Sequence, residues 1–302
     1  MTVSVRNRAT VALLLATLIW GSTFVLVDEV VSVMPVDSFL ATRFSLAFIA
    51  LLLIRPRALR GVDGTTWLRG LLLGITLGVG YATQTQGLAK GTLPTVSGFI
   101  TGLFVVLTPL LSAWWFRTRI GWSTAVAVIA ATVGLALLTL NGGRIGGGEW
   151  LTTLCALAFA AQIVLLGRWS TPANTLALVL IQLGTVSVAE LVMAFAVDRP
   201  LVLPPDGRAW IGVGFLALAA TVYGFLAQTW AQAHMPATRA AVIMTAEPMF
   251  AAVTGAIAGD RLHVRQGVGA LLVLAAMYLV ELAPARSGGR ESAEAGIPHL
   301  EP

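Results

Sequence analysis

The sequence predicts an all-α integral membrane protein of ten transmembrane helices, and three observations carry that prediction. Hydrophobic residues make up 57% of the 302-residue chain and charged residues 11%, too little polar surface to cover a water-soluble globule. The mean hydropathy is +0.86. The apolar residues also fall into long runs of about the 20 residues that one helical crossing requires. At roughly 30 residues per helix and connection, the chain accommodates about ten crossings and no soluble domain.

Bounded by charge, Pro or Gly, the runs lie near residues 9–27, 36–54, 67–89, 93–116 and 122–140 in the first half. In the second half they lie near 149–166, 173–197, 209–233, 236–258 and 266–283. The first run follows Arg6 and Arg8 as a signal peptide would, but it is too long, lacks a small-x-small cleavage site and precedes further spans, so it is read as a retained helix. Connections are short, as at Lys90-Gly91-Thr92 and His234-Met235, and residues 285–302 are polar and acidic, which predicts a disordered cytoplasmic tail.

The formal charge of +5 does not point to nucleic acid, because Lys90 is the one lysine and the arginines are scattered singly or in pairs among short loops. Membrane orientation accounts for them better. With the N-terminus inside, Arg6, Arg8, Arg55, Arg57, Arg60, Arg69, Arg117 and Arg119 fall on the cytoplasmic side of the first five spans against Lys90 outside. The second half does not repeat this bias: Arg168, Arg239, Arg286 and Arg290 are inside, and Arg144, Arg199, Arg208, Arg261 and Arg265 outside. The first half therefore sets the expectation of a multi-pass plasma-membrane protein with both termini cytoplasmic.

The halves echo each other. Trp67, Tyr81 and Gln86 in span three correspond to Trp210, Tyr223 and Gln228 in span eight, and Pro109 in span four to Pro248 in span nine. Isolated matches of this kind also arise by chance. If the repeat is real, its odd number of spans inverts one copy relative to the other, an arrangement of many secondary transporters. The units are then 1–145 and 146–284.

Several features within the spans have a functional and a structural reading. Pro109 and Pro248 free the carbonyls near Val105 and Met244, giving either a tolerated kink or a working hinge. Ser97, Thr101, Thr108 and Ser112 fall within an arc of about 60°, a stripe that lines a cavity or joins helices. Tyr81, Gln84 and Thr85 share a face of span three and are read as pathway, while Gly70, Gly74 and Gly78 are read as a packing groove. Trp20, Thr23 and Phe24 point one way from span one, toward substrate or as an interfacial anchor.

Arg43, Glu190 and Glu247 are intramembrane ionisable groups, for which function is the default reading. Arg43 and Glu190 lie about 9 and 12 Å from the outer ends of their spans at 1.5 Å per residue. That depth permits an ion pair, whose rival has Arg43 holding a substrate carboxylate. Glu247, beside Pro248 and on the face of Thr254, either takes up a proton or cation or locks helices as a neutral carboxyl.

Absences narrow the classes. There is no G-x-x-x-x-G-K-[ST] loop, and the turn from Gly142 to Gly148 has no lysine for phosphates. There is no H-E-x-x-H, the three histidines are far apart in sequence, and Cys155 stands alone. No cofactor or metal is expected, and a membrane enzyme is the weaker class.

Taken together, Trp20-Gly21-Ser22-Thr23-Phe24, Arg43-Phe44, Gly98-Phe99-Ile100-Thr101-Gly102-Leu103 running to Pro109, and Glu247-Pro248-Met249-Phe250-Ala251-Ala252 running to Gly259-Asp260-Arg261-Leu262 resemble the drug/metabolite transporter superfamily, and within it the EamA family of ten-helix carriers. The resemblance covers the chain apart from its tail. It implies two inverted five-helix repeats around a central cavity, alternating access, and frequently export of amino acids or other metabolites. Two departures are the basic Arg117-Thr118-Arg119 opposite the acidic end of the second copy, and Asp260 where the family commonly has Glu.

The reading is a secondary carrier for a small metabolite, with Trp20, Thr23, Arg43, Tyr81, Gln84, Thr101, Tyr223 and Glu247 facing substrate. A facilitative channel is the alternative mechanism. Small residues such as Ala130 and Gly134 suit lipid-facing helix packing or a homodimer equally well.

Overall fold

The computed structural model describes residues 5–116, 121–141, 144–197, 200–235 and 237–282. The tail 285–302, with Arg117 and Arg119, lies outside the described residues.

In hydrocarbon a backbone without internal hydrogen bonds is prohibitively costly, so apolar runs of this length become helices. The first half forms α1 (Val5–Val31), α2 (Val36–Ile54), α3 (Gly64–Ala89), a rod interrupted between α4 (Pro94–Gly102) and α5 (Phe104–Phe116), and α6 (Trp122–Thr139). The second half forms α7 (Gly147–Trp169) and α8 (Thr175–Val197), followed by α9 (Gly207–Phe215) running through a π-helical segment, Leu216–Tyr223, into α10 (Gly224–Gln232). It ends with α11 (Ala237–Met244), α12 (Ala246–Ala258) and α13 (Val264–Leu282). Between the halves, β1 (Leu140–Asn141) pairs antiparallel with β2 (Arg144–Ile145), a small departure from the all-α expectation.

Among the described residues, seven helical segments are long and apolar enough to cross a membrane. The apolar stretches of α6 and α13 are shorter, Ala125–Leu138 and Val264–Leu279. Helix α3 is not among the seven because glycine, threonine and glutamine dilute its apolar residues; several of these, including Gln84 and Thr85, are buried. The outer surface carries large apolar side chains such as Leu53, Ile211 and Ile257, exposed by 75%, 76% and 82%, as a lipid-facing surface requires.

The helices pair in a pattern that runs across both halves. α2 packs on α8, α4 on α12 and α6 on α13, while α3 lies between α7 and α8, and α1 between α12 and α10. Small residues set the separations. A Cβ on Gly70 would meet Ile181, and one on Gly74 would meet the side chain of Thr185 and the carbonyl of Gln182, so the glycine groove of α3 receives α8. Gly134 likewise lies against Gly269 of α13, so it is already occupied within the chain.

The third and eighth rods begin alike. Asp63-Gly64 and Asp206-Gly207 precede Trp67 and Trp210, and each aspartate caps its helix, Asp63 accepting the Thr66 N–H and Asp206 the Ala209 N–H. The Thr66 bonds hold the Asp63 carboxyl below the usual carboxylate range.

α4 is capped from elsewhere. Its Thr95 N–H donates to Asp260 Oδ2 at 2.9 Å. Asp260 reaches it because Gly259, at φ 104°, ends α12 in the left-handed conformation.

Substituting Gly74→Ala should cost about 1–3 kcal/mol, read as a thermal unfolding midpoint in detergent several degrees below wild type. Gly64→Ala, where nothing lies within 4 Å of the added carbon, should leave that midpoint in place.

A charged and aromatic cavity at the helix breaks

Two rods break near their prolines. The interruption between α4 and α5 falls at Leu103, six residues before Pro109, and that between α11 and α12 at Thr245, three before Pro248. A proline removes a backbone donor and crowds the preceding turn, which favours interruption on its N-terminal side. The broken rods touch: a Cβ on Gly102 would meet Pro248 Cγ at 2.5 Å, and one on Gly98 would meet the Ala251 side chain.

Beside these breaks lies a cavity of about 50 Å³. α1 contributes Trp20 and Thr23, α2 contributes Arg43, and α3 contributes Tyr81 and Gln84. Glu247 of α12 completes the set of sequence-predicted residues that line it. Phe159 and Gln162 of α7, and Phe225 and Gln228 of α10, also line it; the sequence reading did not assign them to the site. Gln228 had been matched to Gln86 in the repeat, and a lone amide in the apolar run of α7 was the available signal for Gln162.

Tyr81 is the hub of the aromatic wall, with ring centroids 5.0 Å from Phe44, 5.4 Å from Phe159 and 6.0 Å from Phe225. Trp20 is no interfacial anchor. Its indole Nε1–H donates to the Ala220 carbonyl at 2.7 Å, inside the bundle. A Cβ on Gly224 would stand 2.6 Å from that nitrogen, so the glycine is what admits the ring.

Arg43 is 2% exposed. Its Nε–H donates to Thr221 Oγ1 at 2.9 Å, an Nη reaches the Tyr81 hydroxyl at 3.5 Å, and its guanidinium carbon stands 4.7 Å from the Tyr81 ring centroid. The Thr221 hydroxyl in turn donates to the Leu216 carbonyl five residues back, within the π-helical turn. Glu247, 6% exposed, has no hydrogen-bond or ion-pair partner among the described residues.

The Arg43–Glu190 pair is not formed. Among the described residues the ion pair present is Arg208–Glu29, on the surface. Arg43 is engaged with Thr221 and Tyr81, while Glu190 is buried with Oε2 unpartnered. α2 meets α8 instead through a Ser45–Ser187 hydroxyl contact of 2.8 Å.

Two predicted substrate-facing residues do not line the cavity. Thr101 lies behind the wall, accepting a hydrogen bond from Gln84 Nε2 at 3.0 Å. Tyr223 donates its hydroxyl to the Ala12 carbonyl at 3.1 Å. The polar stripe as a whole is not cavity lining, since Thr108 bonds the Phe104 carbonyl and Ser97 is buried without a partner. The interruption at Leu103 breaks the helical phase on which the stripe was drawn. An amide chain runs from the cavity wall, Gln228 Nε2 donating to Gln162 Oε1 at 3.2 Å, and on from Gln162 Nε2 toward Gln182 Oε1 at 3.5 Å, a residue that does not line the cavity.

Because the two charges do not meet, exchanging them (Arg43→Glu with Glu190→Arg) should rescue nothing. The folded yield in detergent should be no higher than for Arg43→Glu alone, and the coupling of the pair should lie within about 0.5 kcal/mol of zero.

Comparison with known proteins agrees with this architecture. The sequence model of the EamA-like transporter family matches twice, over residues 7–140 and 146–282. An uncharacterized transporter of Archaeoglobus fulgidus is 32% identical over 278 residues, covering 92% of this chain and 87% of that protein. A solved crystal structure with 20% identity aligns at a TM-score of 0.66, covering 94% of this chain and 99% of its own. The chain belongs to the EamA-like transporter family and is a multi-pass membrane transporter.

Proposed function

We propose that the protein is a secondary carrier that moves a small metabolite, an amino acid, a related metabolite or a drug-like amphiphile, by alternating access around the cavity, in the direction of export. The carrying observation is Glu247, a buried carboxyl that has no hydrogen-bond or ion-pair partner among the described residues and lines the cavity from the rod broken before Pro248. Such a group can exchange a proton or a cation with the cavity contents as the flanking helices shift.

In this reading the chain crosses the membrane ten times, α3, α6 and α13 included, as inverted repeats 1–145 and 146–284. Both termini are on the cytoplasmic side of the plasma membrane. The repeat is supported by the helix pairing: when the halves are interchanged, the contacts of α2 with α8 and of α6 with α13 map onto themselves, and that of α4 with α12 maps onto that of α5 with α11. The shared Asp-Gly-x-x-Trp openings of α3 and α9 support it as well. A membrane enzyme is disfavoured because, among the described residues, the aliphatic hydroxyl that lines the cavity, that of Thr23, donates to the Trp20 carbonyl of its own helix at 2.8 Å rather than to a base. A homodimer would have to use a surface other than Gly134, which faces α13.

Purified protein in liposomes should show saturable uptake of a labelled solute that a pH gradient stimulates. Glu247→Gln should abolish the stimulation. Saturable uptake indifferent to both gradient and mutation would remove Glu247 from coupling, and non-saturating conductance would make the protein a channel.

A further inference from the structure

We propose that a chain of bound waters runs through the seam between α7, α8 and α10, joining the cavity to the end of the bundle where α7 turns into α8. Its use, as a supply of protons to the cavity while the solute path is shut, rests on the carrier reading above; its existence does not.

The argument begins with a cluster of buried polar atoms. Gln162, Gln182, Gln228, Thr229 and Gln232 are each 3% exposed or less. The Nε2 groups of Gln228 and Gln162 are taken up in the amide chain, and Gln232 Nε2 donates to the Ile163 carbonyl at 3.0 Å. That leaves Gln182 Nε2, Gln228 Oε1, Thr229 Oγ1 and Gln232 Oε1 buried with no hydrogen-bond partner among the described residues, and Ser170 Oγ at the end of α7 is in the same condition. A buried polar atom without a partner is costly, and in folded proteins an ordered water commonly supplies what the chain does not. Thr229 is telling. The buried hydroxyls of Thr17, Thr42, Thr108 and Thr152 each bond a carbonyl one turn back in their own helix. That of Thr229 does not, which leaves it for a partner from outside α10.

The atoms follow one track. Gln162 and Gln228 line the cavity. One turn further along α10, Gln232 lies against α7, its Nε2 3.4 Å from where a Cβ on Gly167 would stand. Ser170 follows Gly167 along the chain and closes α7. At 1.5 Å per residue the track from Gln162 to Ser170 is about 12 Å long.

The chemistry of these atoms selects the occupant. They comprise an amide N–H group, two amide oxygens and two hydroxyls, none of them charged. A cation would satisfy only the oxygens, and an anion only the hydrogen-bond donors. Water both donates and accepts, and it is held by a few such groups at once.

The test is the rate at which Ag⁺, a bare cation no wider than a water molecule, consumes a buried thiol in the purified full chain in detergent. Surviving thiols are counted by maleimide labelling after denaturation. Cys155, the single native cysteine, is replaced by Ala throughout. Thr229→Cys and Ala231→Cys then place thiols at two positions of α10 that are both 0% exposed, the first on the track and the second in the apolar core. Thr229→Cys should react more than ~10-fold faster, because metals take the thiolate and burial among apolar groups suppresses it. Adding Gln232→Leu, which puts an alkyl group into the track, should lower that rate to the rate of Ala231→Cys. Equal rates at the two positions overturn the proposal, whether slow or fast. So does a fast Thr229→Cys that Gln232→Leu leaves unchanged, since water then enters from the cavity alone. Gln182→Cys against Leu180→Cys, again both 0% exposed, makes the comparison on α8 if Thr229→Cys does not fold. Gradient-stimulated uptake by a protein whose Thr229→Cys is as slow as Ala231→Cys removes the water chain and leaves the carrier. A fast Thr229→Cys, slowed by Gln232→Leu, in a protein that carries no solute into liposomes removes the carrier and leaves the water chain.

Discussion

The close approach of α4 and α12 is the contact around which the rest of the molecule is arranged. Gly98 and Gly102 present no side chain to α12, and Ala251 and Pro248 occupy the space. In lipid, helices associate through packing at this range rather than through exclusion of water, so small residues one turn apart are what allow it. Bringing these helices together also brings the two interruptions together, at Leu103 and Thr245. The cavity forms where regular helix gives way on both sides, with Phe104 and Met244 at its margin. Irregular backbone at membrane depth is tolerated where protein or a cavity covers it.

Arg43 is the second constraint. A guanidinium at this depth is tolerated because Thr221 and the face of Tyr81 receive it. Its hydroxyl partner belongs to a π-helical turn, a form that often marks functional positions inside α-helices. The bond from Thr221 back to the Leu216 carbonyl ties the charge of α2 to the backbone of the eighth rod. Local helix geometry and site electrostatics are therefore one arrangement.

Much of this was legible in the sequence, and the failures have specific causes. The Gly70, Gly74 and Gly78 groove was readable because a spacing of four puts small residues on one face, and α8 does fill it. Trp20, Thr23, Arg43, Tyr81, Gln84 and Glu247 were readable as polar or aromatic residues within otherwise apolar spans, and all six line the cavity. Tyr223 is the counterpart of Tyr81 in the repeat, but it ends a π-helical segment that Tyr81 has no equivalent of, and its hydroxyl bonds the Ala12 carbonyl. Thr101 does not line the cavity, and its hydroxyl is engaged by the Gln84 amide, which does. Depth alone suggested the pairing of Arg43 with Glu190, and depth does not say which way a side chain points around its helix.

The two bonds between α1 and the eighth rod have a mechanical implication. Trp20 is tied to Ala220, and Tyr223 to Ala12, so one helix is stitched to the other at points two turns apart along α1. α1 and the π-helical segment thus form a single strut. The contact of α4 with α12 is of another kind, since Gly98 and Gly102 carry no side chains and the two helices meet there by close approach alone. The Asp260 carboxylate, bonded to the Thr95 N–H, ties those smooth faces together at one end, joining the turn after α12 to the start of α4.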